Sequence, residues 1–484
     1  MPLDDQSIAQ FVESFPAQVL QPADSGFAQA LSEAIWNGAI SRQPVLIVRP
    51  TSAAEVARTL AFALDAGVDV TVRGGGHSAS GAAVADGAVM IDLSRMNGVR
   101  VDAEARRAYV GAGASLADLD AATAAHGLAV VAGLVSHTGV AGLTLTGGMG
   151  WLTSQQGLSC DNLVGATLVT ADGRIVTASD ESQPELMWAL RGAGTNFGVV
   201  TELVFSLHEV NPMANLGFFF WRAEDAAAPL AFARDYLLEL PDGMGAVIAA
   251  MSAPPEPFVP EAFRGVAGAV VMVTGWGSAE EHAAAVAPLR ERNPLFELVT
   301  PIPYVALQQM LNDAEPWGIR AYAKSLNFEN LPDEAIGVLL DRLPHRRSPM
   351  SYVPLVMLRG RFREIPEDAT AWGGSRRTRW AMALIALSPD EEPYAADRAW
   401  VRDLWQALSP YASTDGAYLN FETDTDERRV RSSYGETKFR RLAALKAEWD
   451  PDNTFRHNPN IPPATAGVPA PRQTPAATTE KAIG

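Results

Sequence analysis

The run V-R-G-G-G-H-S-A-S-G, Val72 to Gly81, sets one histidine, His77, among four glycines directly after the apolar stretch Val68-Asp69-Val70-Thr71-Val72. Glycine admits positive φ and close backbone approach, and successive N–H groups in such a run form a concave nest for an anion. A strand that ends in this nest suits a pyrophosphate, and an imidazole inside it invites a reactive role. A tight glycine turn with an incidental histidine is the competing reading, and the stretch alone does not separate the two.

At 484 residues the chain exceeds a comfortable single core, so two domains are expected. A net charge of −18 makes nucleic acid and anionic membranes poor partners, because both need a basic footprint. One cysteine, Cys160, leaves no intramolecular disulfide and no cysteine-based zinc cluster. The seven histidines are scattered without ligand spacing, so no metal is expected. The opening M-P-L-D-D-Q-S-I-A-Q lacks a basic and an apolar leader segment, and no apolar run approaches the roughly 20 residues of a membrane span. A cytoplasmic protein is the expectation, with monomer and homodimer both open.

Helical spacing at Ile8, Phe11 and Val12, then at Phe27, Leu31 and Ile35, opens the chain. The short run Pro44–Val48, a helix from Ser52 to about Ala66 and the strand Val68–Val72 then lead into the histidine loop. Val89–Leu93 is a further strand, and Val99–Ala112 reads as a hairpin turning at Asp102–Ala105. A helix opens at Ser115 and closes at Gly127. Glycine recurs from Gly133 to Gly150, another stretch where backbone can lie against a ligand. Asn162–Ser179 reads as a second hairpin turning at Ala171-Asp172-Gly173, and a helix over Pro184–Arg191 precedes G-A-G-T-N-F-G and a strand. That last glycine run follows a helix and opens a strand, the reverse of the dinucleotide fingerprint, which disfavours a Rossmann NAD site. Beyond Val210-Asn211-Pro212 strands and helices alternate to about Leu408, which predicts a mixed or antiparallel sheet with helices on one face. From Pro462 the chain is too poor in hydrophobic residues to fold, and 464–484 is expected as a disordered tail.

Five segments in this order, V-R-G-G-G-H-S-A-S-G, T-G-V-A-G-L-T-L-T-G-G-M-G-W-L, G-L-S-C-D-N-L, L-R-G-A-G-T-N-F-G-V-V-T and the closing Y-G-E-T-K-F-R-R-L-A-A-L-K-A-E-W-D-P-D-N-T-F-R-H-N-P-N-I-P-P, resemble the FAD-linked oxidases of the berberine bridge enzyme type. These belong to the vanillyl-alcohol-oxidase-like, PCMH-type flavoproteins, and the likeness is nearest to bacterial members. The resemblance implies an α+β fold: a two-part FAD-binding domain over 1–208 and 418–463, with an α+β substrate domain over 209–417 inserted. It implies FAD bonded through its 8α-methyl to His77. It also implies flavin contacts from Arg73, Gly74, Gly75, Gly76, Ser78, Gly81, Gly139, Gly142, Leu143, Gly147, Gly148, Gly150, Trp151, Asp161, Asn162, Gly194, Gly198, Val199, Val200, Asn458 and Asn460. The cysteine that tethers flavin a second time in some members falls at Val135, so only one link is expected. The family position tied to oxygen access falls at Thr138, a departure from a small apolar residue. Cys160 reads as a small buried residue.

Oxidation by a flavin requires a group that takes the O–H or N–H proton as hydride leaves. A-Y-L-N-F-E, residues 417–422, resembles the family's Y-x-N segment. As a strand it would put Tyr418, Asn420 and Glu422 on one face, with Tyr418 as candidate base. A phenol near pKa 10 needs a cation or a relay for that work. Lys324, with Arg320 and Tyr322 on the same predicted strand face, is the candidate for it; a solvated strand face is the alternative. His137, Tyr322, Tyr352 and Trp380 are the candidate substrate contacts, with Phe218, Phe220 and Trp317 as further aromatic lining. His137 reads equally as a structural histidine. Trp372-Gly373-Gly374-Ser375 stands where the family often has aromatic-x-His-Arg, and suggests a roomier pocket. The expected function is oxidation of a small organic molecule, a secondary metabolite ahead of a sugar hydroxyl or an amine, with O2 as acceptor. A dehydrogenase that passes its electrons elsewhere and a flavin-binding protein without redox work are the alternatives.

Overall fold

The computed structural model describes residues 5–413 and 416–464. Nearly all of the expected tail therefore lies outside the described residues. Ala464 is packed: its N–H donates to the Ala443 carbonyl at 2.9 Å and it rests on the core.

The chain folds into a mixed α+β architecture on three main sheets. β1 (Gln18–Leu20), β2 (Leu46–Arg49), β3 (Val70–Arg73) and β4 (Val89–Asp92) make the first, in the order β1-β2-β4-β3 with β2, β4 and β3 parallel. β2 and β3 run parallel on either side of β4, and the helix Ala53–Asp65 carries the chain across from one to the other. Ser52 starts that helix by accepting the Glu55 N–H, and Val56, Leu60 and Ala63 bury its apolar face. β3 then delivers the chain to the glycine–histidine loop.

The second sheet is antiparallel, β5-β6-β10-β8-β9, from β5 (Val99–Asp102), β6 (Arg107–Gly111), β8 (Leu163–Val169), β9 (Ile175–Ser179) and β10 (Val199–Ser206). Both hairpins stand where turn chemistry placed them, with Arg106 and Gly173 taking the positive φ. β7 (Leu128–Ala129) pairs with β11 (His208–Glu209) in a short ladder beside it.

The third sheet has seven strands: β12 (Met213–Arg222), β13 (Met244–Ser252), β14 (Ala267–Gly275), β15 (Phe296–Pro303), β16 (Arg320–Phe328), β17 (Val353–Met357) and β18 (Trp380–Ser388). Their order is β15-β12-β14-β13-β17-β18-β16, antiparallel throughout. Side chains alternate between two buried faces. Phe219, Trp221, Ile248, Val271, Tyr322, Leu326, Met382 and Leu384 face a layer of helices that includes Ala227–Tyr236, Asp333–Arg342 and Glu391–Leu408. Leu216, Phe218, Val247, Ala249, Met272 and Val356 face the other way, toward the glycine loops.

The chain then returns. Ala417, Leu419, Tyr434, Phe439, Leu442, Trp449 and Phe455 join one core with residues of the first two sheets. Lys446, on the helix Glu427–Trp449, fixes this return. Its buried ammonium donates to Asp450 at 2.5 Å and to the carbonyls of Asn196 and Phe455 at 2.7 and 3.1 Å. Among the described residues no helix is long and apolar enough to cross a membrane.

One buried acid ties the second sheet's surroundings to the third. Asp120, on the helix Leu116–Ala124, accepts Gln308 Nε2 at 3.0 Å and the Tyr304 hydroxyl at 3.5 Å. Burial pushes its carboxyl up to about 7 against those two hydrogen bonds. With the folded pKa above the unfolded one, the group's stabilisation is complete below about pH 4 and is lost as pH rises to about 7. Wild type should lose about 2–3 kcal/mol of unfolding free energy between pH 5 and 8 through this group. Asp120→Asn should lack that slope. Denaturant titrations at the two pH values measure it, and parallel losses in both proteins would show that Asp120 ionises freely in the fold.

Candidate active site

A cavity of about 1220 Å³ lies between the glycine loops and the apolar face of the seven-stranded sheet. It exceeds the roughly 300–1,000 Å³ of a pocket for one small ligand and has room for a dinucleotide with a second molecule beside it. One wall is backbone-rich: Val70–Val72, Gly74–Ser80, Gly139, Gly142 and Leu143. The opposite wall is apolar, from Leu216, Phe218, Val247, Ala249, Met272, Leu298, Ile302 and Val356. Phe455 and His457–Pro459 of the return segment contribute to the first side.

The glycine wall depends on close approach. A Cβ on Gly75 would sit 2.2 Å from the Gly139 Cα, and one on Gly139 would sit 2.4 Å from the Gly75 Cα. The loop after β3 and the loop before the helix Val140–Leu145 therefore pass backbone against backbone. Gly76 has φ +73, and a Cβ there would strike the Ala34 carbonyl oxygen at 2.0 Å. Among the described residues, the backbone N–H groups from Gly75 to Ala79 find no protein acceptor.

His77 leaves this loop partly buried at the cavity wall. Its ring stacks on Trp36, centroids 4.3 Å apart, and its Nε2 lies 3.1 Å from Nδ1 of His137. Burial, reinforced by His137, lowers its pKa to about 3, only partly offset by a backbone contact. Burial lowers that of His137 as well. At neutral pH His77 is an uncharged imidazole with a lone pair, the form a nucleophile needs.

Residues 417–422 do not form the expected strand. Leu419–Phe421 is a single 3-10 turn, because the segment packs against the edge of β16 without joining its ladder. Tyr418 and Asn420 still meet at the cavity, since the turn brings their side chains together: Asn420 Nδ2 donates to the Tyr418 hydroxyl at 2.9 Å, and Gly148 N–H donates to the same oxygen at 2.8 Å. Burial pushes the phenol up to about 12, against both of those hydrogen bonds. No cation contributes. Lys324 is turned to Glu422 at 3.6 Å and to the face of Trp405. Glu422 also accepts from Ser325 and Arg429, which pins the turn to β16.

Several expected contacts lie elsewhere. Arg320, Tyr322 and Lys324 do share a strand face, but it is the helix-covered one. Tyr322 bonds Asp424 and Arg402 there, and Trp380 is buried in the same layer. Both faces of this strand pair are buried, so alternation could not tell which meets the ligand. Asp161 is bound by Arg376 through two bonds of 2.6 and 2.8 Å, and Asn162 by the Gln156 and Leu158 carbonyls and His208; neither borders the cavity. Gly147, Gly148, Gly150 and Trp151 stand behind its wall, where Gly147 gives room to Trp372 and Tyr418. Arg73 pairs with Asp92, while Gly81, Gly194, Val199 and Asn460 are also set back from it. Trp372 packs edge-on to Phe362, and Gly374 lies over the Trp372 ring, so the Gly-Ser change does not widen the cavity. Phe220 lies beneath the apolar wall, and Trp317 stands outside it, edge-on to the two histidines. Bordering the cavity are Gly74, Gly75, Gly76, Ser78, Gly139, Gly142, Leu143, Gly198, Val200, Asn458 and Tyr352.

Sequence reasoning missed Glu315. It is buried at the cavity wall and accepts the Tyr352 hydroxyl at 2.5 Å, with its carboxyl pushed up by burial. It lies in the loop N-D-A-E-P-W-G, which has no periodicity to mark it. Thr71 Oγ1, Thr195 Oγ1 and Asn458 Oδ1 also border the cavity, buried and without a partner among the described residues. Unpartnered polar atoms and free N–H groups along one side, with an apolar wall opposite, fit a ligand having a phosphate-bearing polar arm and a flat ring. FAD meets that description.

Residues 44–179 match the FAD binding domain family and 417–462 the berberine and berberine-like family. An FAD-linked oxidoreductase of Dictyostelium discoideum is 30% identical, over 95% of this chain and 97% of its own. (R)-6-hydroxynicotine oxidase of Paenarthrobacter nicotinovorans is 33% identical, over 93% and 97%. The two do not single out bacterial members as nearest. The crystal structure of 6-hydroxy-D-nicotine oxidase from Arthrobacter nicotinovorans superposes with a TM-score of 0.82 at 30% identity, covering 93% of this chain and 98% of that one. The chain therefore belongs to the berberine bridge enzyme-like family of FAD-linked oxidoreductases, and FAD is the cofactor its glycine loops are shaped to hold.

Proposed function

We propose that the protein is an oxidase that carries FAD on His77 through a single 8α-histidyl bond and oxidises a small, largely apolar organic molecule, with O2 as final acceptor. The observation that carries this reading is the undivided cavity, which joins the His77 loop to the apolar face of the seven-stranded sheet. FAD bound there supplies a two-electron hydride acceptor. Gly75–Ser78 and Gly139–Leu143 would hold the phosphate-bearing arm, and Thr71, Thr195 and Asn458 would meet its remaining polar atoms. An uncharged His77 supports the covalent link, since a protonated imidazole has no lone pair to bond with.

Tyr418 acts here as a neutral hydrogen-bond donor. The Gly148 N–H and the Asn420 amide occupy its two acceptor positions, which leaves the O–H for the substrate. Asn420 is itself held by the Leu143 carbonyl, so the donor is fixed before substrate arrives. The opposite wall excludes water and favours an apolar body over a sugar, whose hydroxyls would find few partners on Leu216, Phe218, Val247 and Met272. That supports a secondary metabolite. Glu315 supports an amine as the second reading, because its carboxylate accepts from a substrate N–H, and a 33% identical relative is named for 6-hydroxynicotine.

Acid precipitation tests the tether: wild type should give a yellow pellet, and His77→Ala should release its flavin to the supernatant. Anaerobic bleaching of the flavin band across apolar alcohols, amines and aromatic polyketides tests the substrate class, and oxygen consumption in the same turnover separates an oxidase from a dehydrogenase. With any substrate that bleaches the band, Tyr418→Phe should slow reduction by about 10- to 100-fold with a smaller change in Kd. Equal reduction rates would remove the phenol from the mechanism.

A further inference from the structure

Two helices meet beside the cavity. Leu116–Ala124 comes from the first half of the chain, and Tyr304–Gln309 follows β15 directly. The second helix puts Ala306 and Gln309 on the cavity wall, and the chain runs on through Met310 and Asp313 to Glu315, which line it as well. Two braces tie this segment to the first helix. One is neutral: Ser136, whose carbonyl accepts the Ala117 N–H at 2.8 Å, exchanges two hydrogen bonds of 2.9 Å with the Asn312 amide. The other is Asp120, buried between the helices with Gln308 Nε2 on one oxygen and the Tyr304 hydroxyl against the other.

Both partners of Asp120 are neutral, and among the described residues no cation pairs with it. Tyr304 is the sole ionisable side chain of its helix, and burial pushes its phenol well up, so it keeps its proton. Two strands also pack on the first helix. β7 carries no ionisable group, while β5 brings Arg100, held over the Tyr109 ring, and Asp102, which accepts the Ala105 N–H. On the same helix as Asp120, Asp118 is turned to Ser115. A protonated Asp120 can donate to the Tyr304 oxygen while it accepts from Gln308, and the brace is then complete. An ionised one is a buried charge without a counter-ion, which favours any opening that admits water. A cleft of about 170 Å³ already enters the joint: exposed Gly127, Asn211 and Pro212 rim it, and it reaches Tyr304 and Val305.

We infer that Asp120 is a positioning residue for the substrate side of the cavity: its protonated form clamps the helix Tyr304–Gln309 in place, and loss of the proton frees that helix and weakens the binding of whatever docks against Gln309 and Met310. This rests on the reading of the apolar side of the cavity as the substrate's place. Burial lifts the Asp120 carboxyl to about 7, so the clamp is closed in mild acid and released as pH rises through neutrality. The Ser136–Asn312 brace has no charge to lose and holds throughout. The effect therefore falls on the helix and the wall it carries, and leaves the glycine loops and the flavin in place.

Biphenyl-4-carboxamide, an uncharged aryl amide, is titrated into the flavin-loaded, full-length protein, and its Kd is read from the flavin band across neutral pH. Hydrogen exchange over residues 304–311 is measured by mass on the same samples and corrected for the intrinsic effect of pH. At about pH 8 roughly one molecule in ten keeps the Asp120 proton, so wild type should bind the probe about 10-fold more weakly than at about pH 6, with faster exchange across the helix. Asp120→Asn reproduces the protonated acid and should show the same Kd and the same exchange at both. Gln308→Met removes a donor that favours the ionised form, so its loss of binding should move to higher pH. A purely structural Asp120 would alter unfolding and leave the probe's pH profile alike in wild type and both variants, and that result would overturn the inference. So would exchange across the helix that does not change with pH in wild type. Should the asparagine variant fail to fold, the direction of the Gln308→Met shift decides. Failure of wild type to bind the probe in mild acid would instead overturn the reading of the apolar side as a substrate site.

Discussion

Two glycine backbones, at Gly75 and Gly139, touch where no side chain has room. That contact joins the loop leaving the parallel sheet to the loop entering the helix Val140–Leu145, and much of the site follows from it. His77 lies two residues after one partner and His137 two residues before the other, so the crossing brings the imidazoles within hydrogen-bonding distance. It leaves the Gly75–Ala79 N–H groups without protein acceptors and turns the open side of Gly142 toward the cavity. A methyl at either crossing point would force the loops apart, and with them the histidine pair and the run of N–H groups from Gly75 to Ala79.

Charge holds the remaining pieces to this crossing. Lys446 and Asp450 are wholly buried, and the ammonium's other bonds go to the Asn196 and Phe455 carbonyls, so it is neutralised and solvated by protein. A buried pair of this kind adds little net stability, but removing one partner leaves a costly lone charge. Its consequence is placement: it sets Phe455 to Pro459 along the cavity, where Asn458 bonds the Thr195 carbonyl. Asp161 and Arg376 act in the same way between the second and third sheets, and Glu422 with Ser325 and Arg429 does so for the turn that bears Tyr418. Residues that look like site chemistry in the sequence are here the joints that aim it.

The legible parts of the chain were those set by local rules. Ala171-Asp172-Gly173 marked the hairpin, Ser52 and Ser115 marked helix starts, and the glycine runs marked the loops that line the cavity. The family motifs carried the rest of the fold. Sidedness was not legible. β16 and β18 are buried on both faces, so period two said that Tyr322 and Lys324 go together but not where they go. The Tyr418 segment kept its two side chains together for a different reason than expected, a 3-10 turn in place of a strand. The approach of His77 to His137, 60 residues away, and of Tyr352 to Glu315, 37 residues away, depends on loops that no periodicity describes.

The two walls of the cavity place opposite demands on what enters it. The glycine wall offers N–H donors and unpartnered side-chain oxygens, and so rewards a ligand that is polar along its length. Most of the sheet wall is apolar, so a polar group brought against Leu216, Phe218, Val247 or Met272 loses water without compensation. On the reading proposed above, a substrate confined between that wall and the cofactor would keep few polar contacts, with Tyr418 and Glu315 among the polar residues that line the cavity. A few fixed polar groups on a mostly apolar surface define an orientation without binding tightly through bulk polarity, so the proposed substrate would be selected by its shape more than by its polarity.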